Sequence, residues 1–372
     1  MTQSPGILIT IVAFALVIGP LIFLHEMGHY LAGRLFGVKI DAFSIGFGNE
    51  VFGFTDKRGT RWKFSWLPLG GYVKFAGDMN AASVPDHDWL MLPPEERART
   101  LQGRPVWQRM IVVAAGPIAN FVVAIVLLTG FIIGYGDFMA PPVAGTVVAG
   151  SPAAVAGIQP DDRITAFDGR AITTFSELAA LTQPNPGKAV TLTVEHEGVS
   201  RTVTVKLDVQ TVTTKSGKTL RLGLLGLQRR PVSLIEAPFV GVRRTFELTG
   251  MMAKGLGQII VGQRSVKELG GPLKIAQVSG QQLALGWDSL IWLVAMISIN
   301  LGFINLLPVP ILDGGHLFFY AIEAIRRRPV PPQVQEWAFR GGLAAILALM
   351  VMTTFNDLDS FGLWKNLAGL IG

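Results

Sequence analysis

Residues 25–29 read His25-Glu26-Met27-Gly28-His29. On an α-helix, side chains four positions apart share one face. Two imidazoles at that spacing can chelate a divalent ion, and the adjacent glutamate can then act on a water that the ion activates. The chain has no cysteine, so disulfides, thiol catalysis and thiolate-bound zinc are excluded. A metal must use His, Asp, Glu or Asn, and there are five histidines: 25, 29, 87, 196 and 316. A catalytic zinc takes three protein ligands and keeps one position open. The expected third ligand is Asp313, in Leu312-Asp313-Gly314-Gly315-His316, with His316 as its rival. An aspartate before two glycines is also an ordinary turn residue. His87 and His196 lie in polar stretches and read as surface histidines.

These residues sit in apolar surroundings. Of 372 residues, 50% are hydrophobic and 16% charged, against roughly a quarter charged in an ordinary soluble domain. Four runs are long and apolar enough to cross a bilayer, which takes about 20 residues. They fall within 1–36, which carries the His-Glu pair, and within 107–137, 283–313 and 337–358. The first lacks the basic start of a signal peptide and continues through His25 and His29. Ionisable groups inside a membrane are costly and usually functional, which favours chemistry at His25, Glu26 and His29.

Charge sets the expected orientation. Residues 1–33 contain no Lys or Arg, whereas the loop 37–106 is rich in them. The loop 314–336 holds Arg326, Arg327 and Arg328, and the tail 359–372 only Lys365. Basic loops stay cytoplasmic, so both termini and the long segment after the second span should lie outside. Spans one and three then run inward, which places His25 and Asp313 at similar depth. The net charge of +6 is read as orientation, with no nucleic-acid partner expected.

The paired segments His25–His29 and Asn305-Leu306-Leu307-Pro308-Val309-Pro310-Ile311-Leu312-Asp313-Gly314-Gly315-His316 closely resemble the site-2 protease family of intramembrane zinc metalloproteases. Gly116-Pro117-Ile118-Ala119-Asn120 and Gly70-Gly71-Tyr72-Val73-Lys74-Phe75 look like further family segments. The resemblance covers nearly the whole chain. It implies that His25, His29 and Asp313 bind Zn2+ and that Glu26 is catalytic.

Other segments read as substrate-handling parts. Trp62, Phe64 and Trp66 alternate with polar residues ahead of Pro-Leu-Gly-Gly, which predicts a β-hairpin over about 61–78 that dips into the membrane. Its edge, Gly70, Gly71, Tyr72, Val73, Lys74 and Phe75, could hold an unwound substrate by strand addition. A purely structural hairpin is the plainer alternative. Asn120 and Asn305 are polar groups at membrane depth that could bind substrate, steady a metal ligand or pack helices together. Pro308 and Pro310 should break the third span just before Asp313. Residues 142–228 turn to short β-branched runs around a helix near 174–181. Ser151-Pro152-Ala153-Ala154 and Gly157-Ile158-Gln159-Pro160-Asp161-Asp162 resemble a bacterial PDZ domain, with 221–227 as its last strand. Some family members carry two such domains; this segment has room for one. Residues 229–282 read either as amphipathic helices at the outer interface or as a linker packed on the PDZ-like domain.

The expected fold is thus a membrane α-helical protein of four transmembrane helices, with a membrane-associated β-hairpin and an inserted extracytoplasmic PDZ-like α+β domain. The expected function is a zinc endopeptidase that cleaves single-span membrane proteins, such as anti-sigma factors, or remnant signal peptides. The setting would be a bacterial inner membrane, with membrane lipid as a partner. Two other classes fit less well. A PDZ receptor with a closed metal site would show no proteolysis. A metal or proton transporter would be expected to show an inverted repeat, and none is visible.

Overall fold

The computed structural model describes residues 6–78, 91–213 and 219–360. His87 and most of the tail 359–372 lie outside these. The chain divides into two compact units, one drawn from both ends of the sequence (Met1–Leu127 and Thr245–Gly372) and one from its middle (Leu128–Arg244).

The first unit opens with helix α1 (Ile7–Leu35). Ala13, Val17, Leu21, His25, His29 and Gly33 are buried at intervals of four, with Ile22, Glu26 and Tyr30 beside them. That spacing makes one inward stripe, and it carries the whole His-Glu motif. Ile7, Leu8, Leu16, Leu31 and Leu35 on the remaining surface are exposed. Such a helix is stable only if its outer face meets lipid rather than water.

Two long strands follow, β1 (Ile40–Thr55) and β2 (Arg61–Phe75). The hairpin expected at about 61–78 is therefore misplaced: Arg61–Phe75 is one strand, and its partner is 40–55. The pairing is also richer than a hairpin. Phe43 pairs with both Trp62 and Val73, Ser44 with both Lys63 and Tyr72, and Ile45 with both Phe64 and Gly71. The start of β1 is thus an interior strand, and Gly71–Phe75 forms a margin of the sheet. The Phe47, Phe52, Phe54, Phe64 and Trp66 side chains are exposed.

After α2 (Pro94–Arg97) comes the second long helix, α3 (Val106–Tyr135). The second unit then holds β3 (Thr146–Val147), α4 (Pro152–Val155), β4 (Arg163–Phe167), β5 (Arg170–Ala171), α5 (Phe175–Thr182), β6 (Ala189–His196), β7 (Val199–Lys206), β8 (Asp208–Thr213), β9 (Thr219–Leu224) and β10 (Leu227–Gln228). Its main sheet has the order β5-β4-β6-β7. Ile164, Phe167, Leu178, Leu192, Val194 and Val205 form its core. The single last strand expected at 221–227 is split: β9 pairs with β8, and β10 with β3. A buried ion pair between Arg244 and Asp137 clamps the chain near its entry to and exit from the unit.

His196, expected as an ordinary surface residue, pairs through Nδ1 with the buried Asp162. Burial alone would favour the neutral form of Asp162. Hydrogen bonds from the Gln159 amide, Arg201 and His196 outweigh it and hold this carboxyl below its ordinary range. A carboxyl depressed by folding stabilises the fold above its unfolded pKa of about 3.9, and that contribution is lost as pH falls through the lower folded value. We expect strands β6 and β7 to lose hydrogen-exchange protection below about pH 4. Asp162→Asn should flatten that acid dependence.

The chain continues through α6 (Ala237–Ile260) to α7 (Pro272–Leu285), α8 (Trp287–Asn305), α9 (Asp313–Arg326) and α10 (Pro332–Ser360). The stretch 229–282 holds α6 and the greater part of α7. Helix α7 packs against α1 and α8, with Ser279 and Gly280 buried. Its N-terminus is held by a remote carboxylate: Asp357 of α10 accepts from the Gly271 and Lys274 amides at 3.1 and 2.9 Å. Those donors have no partner within the helix, and a negative charge there meets the positive end of the helix dipole. The expected third span, 283–313, is helical only to Asn305 within α8. The expected loop 314–336 is largely helix α9. Helices α1, α3, α8 and α10 are each long and apolar enough to cross a membrane.

Candidate metal centre

Helix α1 supplies two imidazoles and α9 a carboxylate. His25 Nε2 lies 3.2 Å from Asp313 Oδ2, and His29 Nε2 lies 3.4 Å from Asp313 Oδ1. The two Nε2 atoms are 3.3 Å apart. Among the described residues, this is the set of His, Asp and Glu side chains whose ligand atoms converge, all within 4.8 Å. His316 stands one turn along α9, and its ring packs 4.9 Å from that of Phe339. It is not part of the converging set.

The donor chemistry fits a zinc ion. His29 Nδ1 lies 2.9 Å from the Val112 carbonyl, which can only accept, so Nδ1 carries the proton and Nε2 presents a lone pair to the cluster. A cation between that lone pair and a carboxylate relieves what would otherwise be unpaired acceptors facing one another. Two nitrogens and one carboxylate oxygen are three protein donors, the number a catalytic zinc takes, where a structural zinc takes four.

The elements that bring these groups together explain the glycines around them. The Gly116 Cα faces His29 so closely that an added Cβ would lie 2.2 Å from Nε2. At Gly28 the same atom would meet the Ala115 carbonyl at 2.3 Å, so α1 and α3 approach backbone to backbone. Gly116→Ala should therefore displace the His29 ring. Overpacking of about 1–3 kcal/mol, if it falls on the zinc-bound geometry, corresponds to zinc affinity lowered by roughly 5–150-fold, checked by competition with a chelator.

Asp313 is placed by a break. Helix α8 stops at Asn305, Pro308 and Pro310 prevent its resumption, and α9 begins at Asp313. Asp313 is thus in the first turn of a new helix rather than at the end of the third span, where the helix dipole favours a carboxylate. Ile311 turns the chain with φ at 85°, a conformation that a β-branched residue adopts only under strain of about 1–3 kcal/mol. Cβ atoms at Gly314 and Gly315 would meet the Leu307 and Val309 carbonyls at 2.2 and 2.4 Å. The pair Gly314-Gly315 thus lets α9 dock on the turn that precedes it. Farther along α9, Glu323 takes a two-point hydrogen bond from Arg109 of α3, whose guanidinium also lies 4.8 Å from the Tyr320 ring centre. The two prolines predicted the break before Asp313 from sequence; the left-handed turn at Ile311 and the Arg109–Glu323 clamp were not predicted.

Glu26 is buried beside the ligands, and the Val73 amide hydrogen-bonds its carboxylate. The margin strand passes directly over it: a Cβ at Gly71 would lie 2.8 Å from Glu26 Cγ, and one at Gly70 would lie 2.4 Å from the Phe47 ring. Tyr72 stacks on Phe47. Val73 and Phe75 point inward and join a core with Tyr30, Ile40 and Phe43, while Lys74 is partly exposed. Any part that Val73 or Phe75 plays with substrate is therefore through backbone, not side chain. Asn120 is fully buried and hydrogen-bonded to His25 at 3.0 Å, which turns its side chain to the ligand rather than to an incoming chain. Asn305 is the last residue of α8 and is half-buried.

A buried carboxylate beside a His-His-Asp cluster, on helices apolar enough for a bilayer, defines a membrane-embedded metal-dependent hydrolase. Residues 13–349 match the model of peptidase family M50, and the chain belongs to that family. Relatives agree along almost the full length. A protein of Agrobacterium fabrum named as a zinc metalloprotease is 46% identical over 94% of this chain and 96% of its own. The metalloprotease MmpA of Caulobacter vibrioides is 37% identical over 98% and 99%. The chain is thus a zinc metalloprotease. Among solved structures, the PDZ domain of an SdrC-like protein from Listeria monocytogenes aligns with 25% of this chain and 88% of its own, at 20% identity and a TM-score of 0.20, a likeness too slight to carry weight.

Proposed function

We propose that this protein is an intramembrane endopeptidase of the kind that regulates sigma-E, cutting single-span membrane proteins such as anti-sigma factors, or remnant signal peptides, within the bilayer. The observation that carries the reading is the position of Glu26, between the His25–His29–Asp313 cluster and a sheet margin that, among the described residues, pairs with β1 alone. His25, His29 and Asp313 hold the zinc. Bound zinc supplies Lewis acidity, which activates water and stabilises negative charge on the scissile carbonyl. Glu26 takes the proton of the attacking water and delivers it to the leaving amine. The Val73 amide fixes the Glu26 carboxylate for both transfers.

The margin strand addresses a second requirement. A spanning substrate hides its carbonyls in its own helical hydrogen bonds, and unwinding it in lipid leaves several unsatisfied groups. Gly70–Phe75 can replace those bonds by strand addition. Gly71, with no side chain, lets the margin strand itself lie close to Glu26. Asn305 offers a further polar contact ahead of Asp313.

The basic loops favour a cytoplasmic side near residues 37–106 and 326–328, with both termini and the middle unit outside an inner membrane. The middle unit, read as PDZ-like, would bind peptide or exclude bulky substrates. The test is cleavage by purified protein in defined bilayers. A single-span substrate trimmed on its outer side should be cut within its span, while an unfolded soluble protein should survive. Equal cutting of both would defeat the intramembrane reading.

A further inference from the structure

We propose that Asn120 is a positioning residue for the zinc ligand His25, and that it acts as a hydrogen-bond acceptor. The inference rests on zinc being held at His25. Asn120 lies on α3 with no exposed surface, and its carboxamide is 3.0 Å from His25 Nδ1. Its backbone is fixed from a third helix, since Ser298 Oγ donates to the Asn120 carbonyl at 2.8 Å. The amide nitrogen Nδ2 faces the ring in this structure, and Oδ1 is buried with no partner.

That orientation conflicts with the ring's task. His25 Nε2 points at His29 and Asp313, so it needs its lone pair for metal. A neutral imidazole has one proton, which must then sit on Nδ1. Two N–H groups cannot face one another at 3.0 Å. Carboxamide oxygen and nitrogen are nearly the same in shape, and their assignment follows from the hydrogen-bond network. Turning the amide over places Oδ1 against Nδ1–H. The same turn gives the stranded Oδ1 its donor. His29 is already held this way, its Nδ1–H donating to Val112 of the same helix. Helix α3 thus supplies one acceptor to each ligand ring, fixing both tautomers.

Two substitutions separate this from simple packing. Leucine matches asparagine in size but cannot accept; aspartate accepts but cannot donate. Asn120→Leu should lower zinc affinity by about 10–100-fold, the usual cost of losing such a partner, while the zinc-free protein still folds. Asn120→Asp should bind zinc as tightly as wild type or more so. Both are read by chelator competition on the purified full chain. Leucine at wild-type affinity, or aspartate as weak as leucine, would overturn the proposal. If the aspartate variant does not fold, 15N NMR of histidine-labelled, zinc-loaded wild type decides. A protonated His25 Nδ1 supports the proposal, and a bare one overturns it. A wild type that takes up no zinc at these residues would instead sink the metal site itself.

Discussion

Glu26→Gln should keep its zinc and lose cleavage by a factor of about 10²–10⁴, the usual contribution of a positioned general acid–base. Glu26 does not belong to the converging ligand set, which is His25, His29 and Asp313. Glutamine has the same length and keeps an oxygen that can accept from the Val73 amide. The packing against Gly71 is therefore retained. What is lost is the ability to take up a proton. The expected result is one equivalent of zinc by elemental analysis beside near-complete survival of a single-span substrate. Activity within tenfold of wild type would remove Glu26 from the chemistry, and loss of zinc would make it a ligand instead.

Asp313→Ala should have the larger effect on the metal. Among the described residues, it removes the one carboxylate of the converging set and the one member from outside α1. Two imidazoles 3.3 Å apart then remain. A partner that only steadies a ligand is worth about 10–100-fold in affinity, so losing a direct ligand should exceed that range. The helix itself should survive, because no side chain caps α9 and its anchors, Gly314, Gly315 and the Arg109–Glu323 pair, are untouched. The expected signature is zinc absent after chelator washing, with the circular dichroism spectrum unchanged and no cleavage at any zinc concentration short of saturation. Zinc held at wild-type affinity would mean that another group, with His316 the first to examine, completes the site.

Local patterns carried a good part of this site. The four-residue interval between His25 and His29 needs only a helix, and the uncharged run before it guarantees one. Asp313 was a harder inference, since its partner groups lie nearly 300 positions away and nothing local says which of two nearby side chains turns inward. The sheet was misjudged for a related reason. The residues 61–75 look like two strands and a turn because Pro68, Gly70 and Gly71 interrupt them. Their true partner, 40–55, shows in the sequence only as scattered phenylalanines and glycines. The segment 229–282 read as interfacial or as a linker because its own composition is mixed, whereas the packing of α7 depends on α1, α8 and Asp357.

The sequence by itself determined the elements whose causes are local: which helices are apolar enough for lipid, which face of α1 carries ligands, and that the metal cannot be held by thiolates. Only the tertiary structure decided which carboxylate meets the imidazoles, where the sheet margin falls and which groups lie against each ring. Those outcomes depend on the strained turn at Ile311, on backbones meeting where glycines leave room and on a double pairing along β1. They are contacts between distant segments, and hydrophobic periodicity carries no information about which distant segment will arrive.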